Sequence, residues 1–158
     1  ERLSSTAVGI STQPSFITQN GDRYRREMSK KELSYLYRIS SMDSSGILVG
    51  FSSDAPVTFP NGVGTLKAAM SRNSSNGTVL NSDERVNLVT SLGMMTSKNA
   101  QISGVGTQKG YIRPGFDADL VLVNDDILNA EIEELGNFSV ELTINSGAIV
   151  YDESGVEI

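Results

Sequence analysis

Apolar positions along the chain fall into short continuous runs separated by polar, turn-rich stretches. Residues 7–11 (AVGIS) read as a short buried strand that ends before Gln13-Pro14, because proline cannot donate within a sheet. Thr18 to Asp22 is a polar stretch whose Asn20-Gly21 dipeptide predicts a turn. Ser29 with Glu32 three residues on forms a capping-box pattern, and Leu33, Leu36 and Tyr37 then share one helical face, with Gly46 placed as the stop. Ile47-Leu48-Val49-Gly50-Phe51 is a continuous apolar run of the kind buried in a parallel sheet. The order strand, loop, helix, strand predicts a βαβ unit.

Beyond Pro56 and Pro60 the pattern predicts a glycine-rich loop, a helix from about Thr65 to Arg72, and a flexible surface loop over Asn73–Thr78. Ser82 is read as the cap of the next helix, with Asp83 and Glu84 at its positive end and Val86, Val89 and Leu92 on its buried face. Thr96 restarts a short helix through Asn99-Ala100. From Gly104 the texture changes to turns and strands. Asp119 to Val123 reads as one strand, and Val140 to Ile144 with Ala148 to Tyr151 as a hairpin around Asn145-Ser146-Gly147. Residues 125–136 are acidic and read as helical.

Composition narrows the functional classes. The net charge is −6, which argues against nucleic acid, since phosphate binding needs clustered Lys and Arg. The basic cluster from Arg23 to Lys31 includes Glu27 and reads as a solvated face. The chain has no cysteine, which excludes disulfides and thiolate metal sites and fits a cytoplasmic location. No apolar run approaches the ~20 residues of a membrane span. Its 158 residues suffice for one ordinary domain, but hydrophobic residues make up only 38%, which suits a modest core or buried faces shared with missing neighbours.

Asp54 is the main candidate for chemistry. It follows the Ile47–Phe51 run, so its carboxylate would project from the C-terminal edge of a parallel strand, where α/β barrels keep their active sites. Such a carboxylate can bind a divalent cation and accept a proton from water; it can equally cap the following turn. Asp117 and Asp119, two residues apart, suggest a metal pair or a general acid/base couple by spacing alone. Gly62-Val63-Gly64-Thr65 lacks the lysine of a phosphate loop.

Several ordered segments resemble one family. Ser52-Ser53-Asp54-Ala55-Pro56-Val57 is similar to the eighth-strand segment of the amidohydrolase superfamily, in the branch called amidohydrolase family 3. Val8 to Pro14 resembles its "G-V-x-x-x-x-Q-P" strand, Gly110 to Val123 its "G-x-I-x-P-G-x-D-A-D-L-V-V-L" signature, and Ile144 to Tyr151 its closing hairpin. The resemblance implies an α/β fold: the last strands and helices of a (β/α)8 barrel over residues 1–103, then the C-terminal strands of a small β-sandwich over residues 104–158. It implies a metal-dependent hydrolase of amide or cyclic amide C–N bonds in which Asp54 is both a metal ligand, to zinc, and the general base. The resemblance makes Asp117 and Asp119 structural, turning the chain into the sandwich. Arg72 matches an arginine seen after the eighth strand in this branch; a helix-surface arginine is the other reading. The chain has no histidine, so the imidazole ligands would all lie upstream of Glu1. The expectation is therefore a C-terminal piece of an enzyme that is inactive alone, binds no metal by itself, and self-associates through the open edge of its first strand. The alternative is a non-catalytic α/β domain that binds a partner or small ligand.

Overall fold

The computed structural model describes residues 3–153. Two short strands, β1 (Ile10–Thr12) and β2 (Val49–Phe51), pair in parallel with Ile10 opposite Val49 and Thr12 opposite Phe51. Between them run three helices: α1 (Ser15–Glu27), α2 (Lys30–Leu33) and α3 (Ile39–Ser44). After β2 come α4 (Gly62–Ser71), α5 (Leu88–Met95) and α6 (Ser97–Ile102). A separate antiparallel sheet follows, in the order β3 (Leu120–Val123), β4 (Val140–Asn145), β5 (Ala148–Asp152). The expected α/β organisation with a distinct small sheet is therefore present, with both parallel strands shorter than their apolar runs. No helix among the described residues is long and apolar enough to cross a membrane.

The core is built around β2. Val49 and Phe51 pack with Ile39, Ile47, Ala69 and Met94, so α3, α4 and α5 all close on the strand. A second cluster joins Leu66 of α4 and Leu88 of α5 to Leu135, which is fully buried. The acidic 125–136 segment thus packs on α4, although it forms two 3-10 turns, Ile127–Asn129 and Glu134–Asn137, instead of the helix expected.

Several local expectations are corrected. The Thr18–Asp22 stretch is the interior of α1, and Asn20-Gly21 is not a turn. Gly21 is buried where a Cβ would stand 2.9 Å from Ser74 Cβ and 3.0 Å from Leu80 Cδ1, so the residue permits a close helix–loop approach. Asp22, one position on, accepts hydrogen bonds from Ser74 Oγ (2.7 Å), Ser75 Oγ (3.0 Å) and Asn76 N (3.2 Å). These bonds, that from Ser74 foremost, hold its carboxyl below the usual range, and they tie down the 73–78 segment that reads as a flexible loop.

The Ser29–Glu32 capping box is present, but α2 stops after one turn. Tyr37 adopts the left-handed region (φ 47°) and interrupts the helix expected to run on to Gly46. The cause lies far along the chain. Arg72 is fully buried; its Nη1 donates to Tyr37 O (2.9 Å), its Nη2 to Leu36 O (3.0 Å) and its Nε to Leu80 O (2.7 Å). Burial pushes the Arg72 guanidinium down to about 10, which leaves it charged at neutral pH. It is a buried tie between three segments and not a helix-surface arginine.

The α4 helix begins at Gly62 instead of Thr65, because Asn61 caps it through Oδ1 accepting from Gly64 N at 2.9 Å. Ser82–Glu84 is a 3-10 turn, and α5 starts only at Leu88, capped by Asn87, whose Oδ1 accepts from Thr90 N at 2.8 Å. That later start rotates the buried face: Val89 is 71% exposed, while Leu88, Ser91 and Met94 are buried. Glu84 turns inward to accept from Ser41 N (2.8 Å) and the Ser41 hydroxyl, joining the 3-10 turn to the first turn of α3.

Asp117 and Asp119 are structural, as expected. Lys109 Nζ lies 3.0 Å from Asp117 and 2.5 Å from Asp119, and Asp119 also accepts from Ser146 N at 2.7 Å at the hairpin tip. The tip itself uses positive φ at Ser146 and Gly147, the geometry that matches strand twist. Contact with Lys109 first, then Ser146, holds the Asp119 carboxyl below its ordinary value. A carboxylate depressed in the fold stabilises above its unfolded value and loses that contribution as pH falls through the folded one. The gap in melting temperature between wild type and Asp119→Asn should therefore close as pH is lowered below about 4. A gap of constant size down to acid unfolding would remove this role.

Candidate active site

Strand β2 delivers the chain to Ser52-Ser53-Asp54 at its C-terminal end. Each residue before the aspartate is held by a side chain. Asn99 Nδ2, from α6, donates to Phe51 O at 2.7 Å. Gln13 Nε2, just beyond β1, donates to Ser52 Oγ at 3.0 Å, while Ser52 N continues the ladder to Thr12 O at 2.9 Å. The hydroxyl of Thr58, itself 2% exposed, donates to Ser53 O.

Asp54 then adopts φ 57°, a left-handed conformation uncommon outside glycine, and its carboxylate side is exposed. Its carbonyl accepts from Val57 N at 2.8 Å, closing the turn through Ala55-Pro56. Beside it opens a cavity of about 210 Å³ lined by Phe51, Ser52, Ser53, Pro60, Asn61, Gly62 and Thr65, walled by the first turn of α4. Asp54 thus stands three positions past a parallel strand. The sequence reading missed Gln13, Thr58 and Asn99; for Asn99 the available signal was Gly50. A glycine inside an apolar strand marks a close approach, and a Cβ there would lie 2.0 Å from Asn99 Oδ1.

Among the described residues the donors do not converge on a metal centre. The chain has neither histidine nor cysteine, and no three acidic residues converge among the described residues. One exposed carboxylate can accept a proton and bind a cation weakly, but zinc sites take three or four protein ligands.

The profile of the amidohydrolase family matches residues 1–151. The chain belongs to that family. Within it, the Bacillus subtilis protein YtcJ, which carries an amidohydrolase name, is 25% identical over 157 residues, covering 98% of this chain and 30% of that protein. The N-substituted formamide deformylase of Arthrobacter pascens is 29% identical over 120 residues, covering 76% of this chain and 22% of that protein. Among solved structures, an uncharacterized metal-dependent hydrolase from Pyrococcus horikoshii superposes with a TM-score of 0.72 at 26% identity, over 84% of this chain and 27% of that one. This amidohydrolase chain spans less than a third of the length of each of these relatives.

Proposed function

We propose that this chain is the C-terminal part of a metal-dependent hydrolase acting on C–N bonds of small amides or cyclic amides, and that Asp54 is its contribution to the active site. The observation that carries this reading is the placement of Asp54 beyond the C-terminal end of β2, in a left-handed turn whose lead-in is tied at three successive residues. Family membership supports hydrolysis, and the name of the Arthrobacter relative supports amide-type C–N chemistry. The family metal, zinc in this reading, would be held mostly by residues outside this chain, since the donors here do not form a site. Asp54 accepts a proton in this scheme; Ser52 and Ser53 carry the turn that presents it.

The test has two arms. The chain alone, given an N-substituted formamide and zinc, should show no turnover. The longer hydrolase that contains it should lose kcat by roughly 10²–10⁴-fold on Asp54→Asn, the range for removal of a positioned general base. Unchanged kcat in that variant would refute the assignment of Asp54, and turnover by the chain alone would refute its dependence on other segments.

A further inference from the structure

We infer that Asn99 is the positioning residue of Asp54, acting through the backbone of β2. The inference rests on the reading of Asp54 as the working carboxylate, and its geometry is independent of that reading. In the parallel pair, Ile10 N bonds Leu48 O and Ser52 N bonds Thr12 O, so alternation turns the Phe51 carbonyl to the edge of β2 away from β1. Among the described residues no strand lies on that side of β2. An unpaired edge carbonyl costs free energy unless a donor meets it. Here the donor is the Asn99 amide at 2.7 Å, aimed across from the middle of α6.

The contact is built from both sides. Gly50 leaves room for the Asn99 amide, and Gly9 does the same for its neighbour on α6: a Cβ there would lie 2.6 Å from Ile102 Cγ1. The α6 helix therefore seats directly on the backbone of both strands. Phe51 is the last residue of β2, and from its carbonyl only Ser52 and Ser53 separate the helix from Asp54. Both are held in turn, by Gln13 and Thr58. A lateral or rotational shift of α6 is thus passed to the aspartate with little slack, which fits a left-handed residue that its surroundings must over-determine. Asn99 touches neither substrate nor reacting atoms; its role is to fix where the carboxylate stands.

The helix offers its own control. Lys98, the adjacent residue, pairs with Asp43 of α3 and has no bond to the β2 exit. Amide hydrogen exchange of Ala55 and Val57, with the HN–Hα coupling of Asp54, should be measured on the chain in wild type, Asn99→Asp, Asn99→Ala and Lys98→Met. Asn99→Asp keeps the shape and loses the donor; Asn99→Ala serves if the added charge prevents folding. Both should speed exchange at Ala55 and Val57 by roughly tenfold, the equivalent of one lost hydrogen bond, and move the Asp54 coupling. Lys98→Met should leave these signals at wild-type values. Unchanged exchange in the Asn99 variants overturns the proposal. So does an equal change in Lys98→Met, which would make the effect one of α6 stability alone. Because exchange is read on the chain itself, its failure is distinct from failure of the hydrolase reading, which shows only in turnover.

Discussion

Arg72→Met should lower the unfolding free energy by about 4 kcal/mol, the sum expected when buried carbonyls lose charged donors. The carbonyls of Leu36 and Leu80 would lose the guanidinium donor, and that of Tyr37 would keep only the bond from Ile39 N at 2.8 Å. Arg72→Lys should recover only a minority of the loss, since an ammonium lacks the planar fork that reaches three acceptors from one position. Urea unfolding followed by circular dichroism gives the comparison. A midpoint for Arg72→Met equal to wild type would mean that the tie is not stabilising. The same variant should loosen the left-handed Tyr37 turn, because the guanidinium is what holds the two carbonyls flanking it.

At Gly21 two effects of opposite sign compete, and their magnitudes decide the outcome. In an isolated helix, Gly→Ala gains about 1 kcal/mol from propensity. In α1 the new methyl would press on Ser74 Cβ at 2.9 Å and Leu80 Cδ1 at 3.0 Å. Overpacking of that kind costs about 1–3 kcal/mol, so Gly21→Ala should be neutral to destabilising and Gly21→Leu should lose about 3 kcal/mol or more. Thermal melts of the two variants settle the sign. A stabilised Gly21→Ala would show that the 73–80 segment yields easily.

These two residues also mark the boundary of what the sequence discloses. Features set by neighbours in the chain were legible: the apolar run that becomes β2, the capping box at Ser29, the hairpin at Ser146-Gly147, and Asp54 beyond a parallel strand. Features set by distant partners were not. The α1 segment is polar, contains a glycine, and buries only Ile17 and Gly21, so its periodicity is faint until Leu80 and Ser74 are placed beside it. The break at Tyr37 answers to an arginine 35 positions away. The start of α5 turned on a local choice between two good caps, Ser82 and Asn87, and the inward pull on Glu84 by Ser41 decided it. At the site, a carboxylate after a strand is visible as chemistry, whereas Asn99 serves a backbone carbonyl and leaves only the glycine opposite it as a trace.

The bond from Ser74 to Asp22 spans 52 positions, and it has a bearing on synthesis. A 13-residue polar helix is marginal in water by itself. As the chain leaves the ribosome, α1 emerges long before the loop that braces it, and β1 before β2, with which it pairs. The α1 helix must therefore wait for its brace until residues near 80 are free, so that slow translation or cleavage between the two would leave it unsupported.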